Sequence, residues 1–255
     1  MKKNILAAIM LVVFSGAAKA QLLDSFSSNI VDLTVPFVDV DDEDAGFRSH
    51  LPAFYIGPNF LAEKGSVNAF SGIPQMEGKG MELGFTLCDK GIAFNEANTV
   101  GLSLGLQITR NRFQFNRNNY WTTTPAGGPC LAVSSQDIEK GIMRYWSLRC
   151  PVSLEIQSFA QKDIFVSVGA ELEYRFGGVS KYKDADGKKH KETNDLNLET
   201  LGANALVQVG YGDFSVIVRY ALTPLVKDLG YNSVANVPTA QAELYPISIS
   251  LGFGF

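Results

Sequence analysis

Seven charged residues in this 255-residue chain sit where charges are least expected, inside runs that otherwise alternate apolar with small side chains. Glu171, Glu173 and Arg175 share alternate positions with Ser167 and Gly169. Arg149 and Glu155 do so with Ser147 and Ser153, Glu82 with Gly84 and Thr86, and Arg219 with Ser215. Carboxylates and guanidiniums on one face can pair through charge-assisted hydrogen bonds, or they can line a path for ions. Acid–base catalysis would ask more, a positioned base with a reacting group in reach. Only two histidines are available: His50, beside Ser49, and His190, within Lys188-Lys189-His190-Lys191, a basic run that reads as a solvated loop tip. Neither supplies the pattern, so no catalytic residue is assigned and the chain is not expected to be an enzyme.

Metal chemistry finds no better footing. Asp39, Asp41, Asp42, Glu43 and Asp44 invite a calcium reading. An EF-hand loop from Asp39 needs glycine at its sixth position and meets Asp44, while one from Asp41 needs an acid at its twelfth and meets Pro52. Asp184-Ala185-Asp186-Gly187 lacks further ligands and reads as an Asp-Gly turn. Cys88, Cys130 and Cys150 fit no metal spacing and cannot all pair with one another. No cofactor or metal is expected, and a formal net charge of -4 gives no sign of a nucleic-acid partner.

The charges take their positions from the strands that carry them. From Tyr245 to Phe255, Tyr245, Ile247, Ile249, Leu251, Phe253 and Phe255 alternate with Pro246, Ser248, Ser250, Gly252 and Gly254. Period two marks a strand with one apolar face. Gly and Ser are poor strand formers and do not suit a water-facing strand, but they fit the crowded interior of a narrow barrel. The apolar face then points outward, and outward means lipid. The same pattern recurs in eight runs: about 49–61, 81–88, 100–109, 145–157, 164–176, 201–211, 214–222 and the terminal stretch. In the second, Glu82, Gly84, Thr86 and Cys88 are expected to face inward.

Connections between these runs alternate in length. Short links fall near Asn95–Asn98, Ala160–Asp163 and Gly212-Asp213, and long ones span 62–80, 113–144, 177–198 and 224–243. Short periplasmic turns alternating with long extracellular loops are a property of outer-membrane barrels. Aromatics segregate likewise: Phe159, Tyr211 and Phe214 beside short turns, and Tyr145, Trp146, Tyr174 and Phe176 at the loop ends.

Ahead of the strands, Met1–Ala20 combines Lys2-Lys3, an apolar run from Ile5 to Phe14 and Ala18-Lys19-Ala20, the form of a secretory signal with cleavage before Gln21. The run is about half the ~20 residues a membrane-spanning helix needs. Residues 21–47 read as an acidic periplasmic lead-in, within which Ile30–Val40 keeps a ten-stranded count open, and 48–255 as one barrel domain.

With its signal, its eight alternating strands and a last strand ending in Phe255, the chain resembles the small outer-membrane β-barrels of Gram-negative envelopes, the OmpA/OmpX-like and porin-family barrels. That resemblance implies an eight-stranded antiparallel up-and-down transmembrane barrel in the outer membrane. It also implies that the barrel-assembly machinery reads Phe255, and it carries no catalytic residues with it. Glu82, Arg149, Glu155, Glu171, Glu173, Arg175 and Arg219 are expected to pair with Gln107, Asn204 and Gln208 into a lumen-filling network, since isolated buried charge is costly. Arg110 and Arg112, outward by parity after Ile108, are expected to meet lipopolysaccharide phosphates. A monomeric barrel with a structural or surface-interaction role is the reading that follows, its extracellular partner unspecified. A small porin is the alternative, a lipid A-modifying or proteolytic barrel the third, and a soluble barrel would reverse the faces.

Overall fold

The computed structural model describes residues 47–63, 80–115, 118–124, 127–157, 164–231 and 240–254, all within the compact unit Val35–Phe255. Thirteen strands follow one another among these residues: β1 (Phe54–Gly57), β2 (Asn59–Glu63), β3 (Met81–Ala93), β4 (Val100–Phe115), β5 (Asn119–Thr123), β6 (Pro129–Val133), β7 (Ile138–Gln157), β8 (Ile164–Asp184), β9 (Lys189–Thr193), β10 (Leu201–Tyr211), β11 (Phe214–Ala221), β12 (Val226–Tyr231) and β13 (Ala240–Phe253). Pro58, which has no N–H to give, separates β1 from β2, and the two together form a single stave.

Eight staves close a ring. β1 pairs with β3, then β3 with β4, β4 with β7, β7 with β8, β8 with β10, β10 with β11 and β11 with β13, every pair antiparallel. Closure comes from β13, which pairs with β1 through Phe54↔Phe253 and Ile56↔Leu251 and with β2 through Ile247↔Phe60. A closed ring leaves no unpaired edge, the condition a sheet must meet to stand in hydrocarbon.

Side chains divide as the alternation requires. Val168 is 56% exposed, Leu251 55% and Ile249 45%, whereas Glu82, Thr86, Ser103, Gln107 and Ser250 are buried. So much outward apolar surface suits lipid and not water. Cross-strand aromatics line the turn end of the seam, where Phe54 lies 5.1 Å from Phe85 and 6.1 Å from Phe253, and Phe253 meets Phe214 edge-on at 5.5 Å. At the loop end, Trp146 stands opposite Phe176, which stacks on Tyr174.

Four local departures from strict alternation matter. A bulge between Thr86 and Cys88 puts Cys88 opposite Leu106, so it shares the outward face and not the inward one expected for it. A second irregularity, opposite Arg144–Trp146, is taken up on β8 at Gly177-Gly178, where Gly177 has φ 62°, so β7 keeps its alternation and Tyr145 points inward with Ser147 and Arg149 at 1% exposure instead of joining the outer aromatics. The first stave begins at Phe54 and not near Ser49, because Phe47–Ala53 runs inside the ring. There Phe47 packs so closely on Gly101 that a β-carbon would come within 2.7 Å of its ring. The connection read as one long loop from 113 to 144 is largely built: β4 and β7 extend into it, and β5 and β6 form a hairpin whose β6 runs parallel to β12.

Val168 sits mid-stave opposite Leu154 and Val207, while Ile164 sits at the turn-end rim opposite Tyr211. Val168→Arg is therefore expected to cost about 2–4 kcal/mol and Ile164→Arg about 0–1 kcal/mol. Equilibrium unfolding from phospholipid vesicles measures both, and equal costs would contradict the outward assignment of this face.

Candidate functional site

Six of the seven inward charges meet at mid-height. Arg149, on β7, donates through Nη1 to Glu82 at 3.1 Å and through Nε to Glu173 at 3.2 Å, and its Nε lies 3.5 Å from Glu171. From β11, Arg219 donates through Nη1 to Glu82 and through Nε to Glu171, both at 3.1 Å. Arg149, Glu82, Arg219 and Glu171 thus close a four-membered ring that ties β7, β3, β11 and β8 across the lumen. Glu173 extends it to Arg175, whose Nε donates at 2.9 Å and whose Nη1 donates to the carbonyls of Glu199 and Pro224. Three carboxylates face three guanidiniums, so the cluster is neutral in sum.

Neutral donors and aromatic faces complete it. Gln107 accepts from Arg219 Nη2 at 3.2 Å and donates to Thr86, Asn204 donates to Glu171 at 2.8 Å, and Ser250 donates to Glu82. Tyr55 lies under the Arg219 guanidinium, 4.3 Å from its carbon, with its hydroxyl bonded to Thr109. The ring of Tyr55 fills the space over Gly84, where any β-carbon would collide with it. A cation held over an aromatic face gains electrostatic attraction in addition to its ion pairs.

Glu155 stands apart from this cluster. It binds His50 Nδ1 at 2.5 Å and accepts from Ser103, Ser167 and Gln157. The His50 ring stacks on Phe165 at 4.2 Å, and the two serines bind the carboxylate and not the imidazole. Gln208, expected in the main network, donates instead to the His50 carbonyl at 2.7 Å, and Gln157 donates to that of Arg48. Phe47–Ala53 is thereby stitched to the wall at the turn end. Sequence reasoning missed this segment because three of the side chains that serve its backbone, Glu155, Gln157 and Gln208, lie more than a hundred residues away.

The loop end carries an apolar cluster. Leu61, Phe113, Phe115, Trp121, Leu131, Met143, Tyr145, Leu196, Leu225, Val226, Leu229 and Leu244 form one buried cluster, and Trp121 Nε1 donates to the Leu196 carbonyl at 3.2 Å. The two neighbouring aromatics of β5 part company: Trp121 is fully buried, while Tyr120 packs on Tyr182. Beyond the rim, the Asp-Gly turn forms as read, with Gly187 N donating to the Asp184 carbonyl and Lys188 N to Asp184 Oδ1. His190 sits 2.8 Å from Asp184, and that contact holds the Asp184 carboxyl below its ordinary range. Lys183, bonded to Glu139, lowers the Glu139 carboxyl in the same way.

On the outer surface, Arg110 is exposed and its guanidinium carbon lies 5.6 Å from the Trp146 ring centre, while Arg112 donates to Gln114 at 2.9 Å. Arg144, which the sequence reading passed over, stands opposite Arg112. Continued alternation backward from Trp146 through Arg144, Ile142 and Lys140 could have revealed its face. Phe255 lies outside the described residues, as do Met1–Ala20 and the acidic run from Asp39.

Removing one member of the mid-lumen ring strands its partners' charge. Glu82→Ala is expected to destabilise by about 3–5 kcal/mol, and Glu82→Ala with Arg219→Ala by less than the sum of the two single changes. Unfolding free energies in lipid vesicles measure the cycle, and strict additivity would show that the pair is not coupled.

No family model matches the chain, and no curated protein matches it. Among solved structures it is similar to Ail, the attachment invasion locus protein of Yersinia pestis, at 14% identity over 79% of this chain and 96% of that one, with a TM-score of 0.36. It is similar also to Ail in complex with the heparin analogue sucrose octasulfate, at 13% identity, the same coverage and a TM-score of 0.34. Likeness at that level leaves the fold assignment resting on this chain's own strand pairing. By that pairing it has the architecture of the small outer-membrane β-barrels: eight antiparallel staves joined up and down, polar within and apolar without.

Proposed function

We propose that this protein is an outer-membrane barrel with a closed lumen, serving a structural or surface-interaction role and not solute passage or catalysis. The observation that carries this reading is the mid-lumen cluster, in which every carboxylate and guanidinium is buried and already bonded to another. Desolvated ions matched in this way have little to gain from a passing solute. The apolar cluster above and the Phe47–Ala53 segment below add two further constrictions. Export through a signal at Met1–Ala20, a periplasmic lead-in, recognition of Phe255 by the barrel-assembly machinery and a monomeric state belong to the same reading.

Purified protein in planar bilayers is expected to show no steady conductance. Reproducible open channels would overturn the closed-lumen reading and favour a small porin.

Lipid contact is the interaction the outer surface supports best. Arg110 and Arg112 leave the apolar band beside Trp146, at the level where lipopolysaccharide phosphates lie in an outer leaflet, and guanidinium forks suit phosphate. The double variant Arg110→Ala with Arg112→Ala is expected to retain less lipopolysaccharide through purification, assayed by its sugar content. Unchanged retention would remove these two residues from the proposal.

A further inference from the structure

We infer that Arg112 and Arg144 form a two-pronged site for the phosphate monoester of an outer-leaflet lipid headgroup, with Arg110 held beside it on Trp146. The inference rests on the outer-membrane reading above and goes beyond it by adding a residue and specifying the kind of phosphate. Register sets Arg112 directly opposite Arg144, and Arg110 directly opposite Trp146. Like charges in directly opposed positions of an antiparallel pair repel. Their neighbours across the ladder give no relief, since Met81 stands opposite Arg112, Leu83 opposite Arg110 and Val179 opposite Arg144. Glu139, the carboxylate further along β7, is bonded to Lys140 and Lys183. Among the described residues, Arg144 Nε is buried with no hydrogen-bond partner, whereas Arg112 has Gln114 and Arg110 has the Trp146 ring. Three permanent cations crowded together, one with an unfilled donor, call for an anion.

Phosphate fits that requirement in size and geometry. Directly opposed residues have β-carbons about 4.5–5.5 Å apart, so two guanidinium forks can close on one phosphate from both sides. A monoester presents three terminal oxygens and a charge of about -1.5 to -2 at neutral pH, enough to answer two forks. The diester of an ordinary phospholipid presents two such oxygens and one charge. Depth identifies the carrier: Arg144 lies two residues beyond Trp146, roughly 7 Å along the strand from the outer aromatics, within the headgroup layer.

The test uses the full-length barrel in phosphatidylcholine nanodiscs doped with phosphatidic acid, a monoester, or phosphatidylglycerol, a diester, with identical acyl chains. Native mass spectrometry reads the lipid retained. Wild-type protein is expected to favour phosphatidic acid by about tenfold. Arg112→Gln and Arg144→Gln are expected to abolish the preference while heat-modifiable gel migration persists. Arg144→Lys, which keeps the charge and loses the fork, is expected to hold both anionic lipids without distinguishing them. Equal retention of the two lipids by wild-type protein would overturn the assignment, as would an unchanged preference in both Arg144 variants. Binding of inorganic phosphate with no retention of phosphatidic acid would likewise overturn the lipid as carrier. The closed-lumen reading fails on conductance, which this ratio does not score.

Discussion

The ring of Arg149, Glu82, Arg219 and Glu171 is the constraint on which the rest of the barrel depends. Its members come from four staves, and Glu82 and Arg219 lie 137 residues apart in sequence. A buried ion gains little over an apolar residue of similar volume when it is well paired, and it costs several kcal/mol when it is not. The ring therefore acts on shape more than on gross stability, because all four walls must arrive in register for any one charge to be satisfied. A strand slipped by a single residue would turn its charge to the lipid face and its valines into the lumen. Register, closure and interior filling are consequently settled by one set of contacts.

Filling changes character with height. At the loop end, where β4, β7 and β8 outrun the apolar band, the β5–β6 hairpin with β12 contributes to an apolar cluster around Trp121. In the middle the interior is narrow, and side chains from the wall meet directly. At the turn end, glycine and serine leave a channel into which the chain's own Phe47–Ala53 fits. Its backbone donors and acceptors are served by Gln157, Gln208, Thr86 and Glu155, which meets the requirement that buried peptide groups be paired.

Much of this was legible in the sequence, and the reasons are specific. Period-two alternation in runs such as Ile164–Phe176 places each side chain on one of two faces, so the inward charges and the outward valines followed from counting. Turn and loop lengths then fixed up-and-down connection. What escaped has a common cause, that alternation is a local rule and the exceptions are set by distant packing. The bulge that turns Cys88 outward leaves no mark in Glu82–Cys88, whereas Tyr145 obeys the alternation of its own strand and only its grouping with the outer aromatics was misleading. Nothing in Phe47–Ala53 distinguishes a strand start from a segment held inside, since Ser49, His50 and Pro52 suit either. Glu155 looked like one more member of the charge network, and only the third dimension shows that His50 takes it instead. Arg144 lay one residue before the run in which it should have been counted.

The same four-way ring bears on how such a barrel could drift over evolutionary time. Lipid-facing valines, leucines and isoleucines can exchange for one another at small cost, because hydrocarbon asks only for apolar bulk. Inside, no member of the ring can change charge without a second change on another wall. Divergence should therefore look lopsided, with rapid turnover outside and rare, compensated pairs of substitutions within, leaving descendants that share a pattern of faces long after their letters have ceased to match.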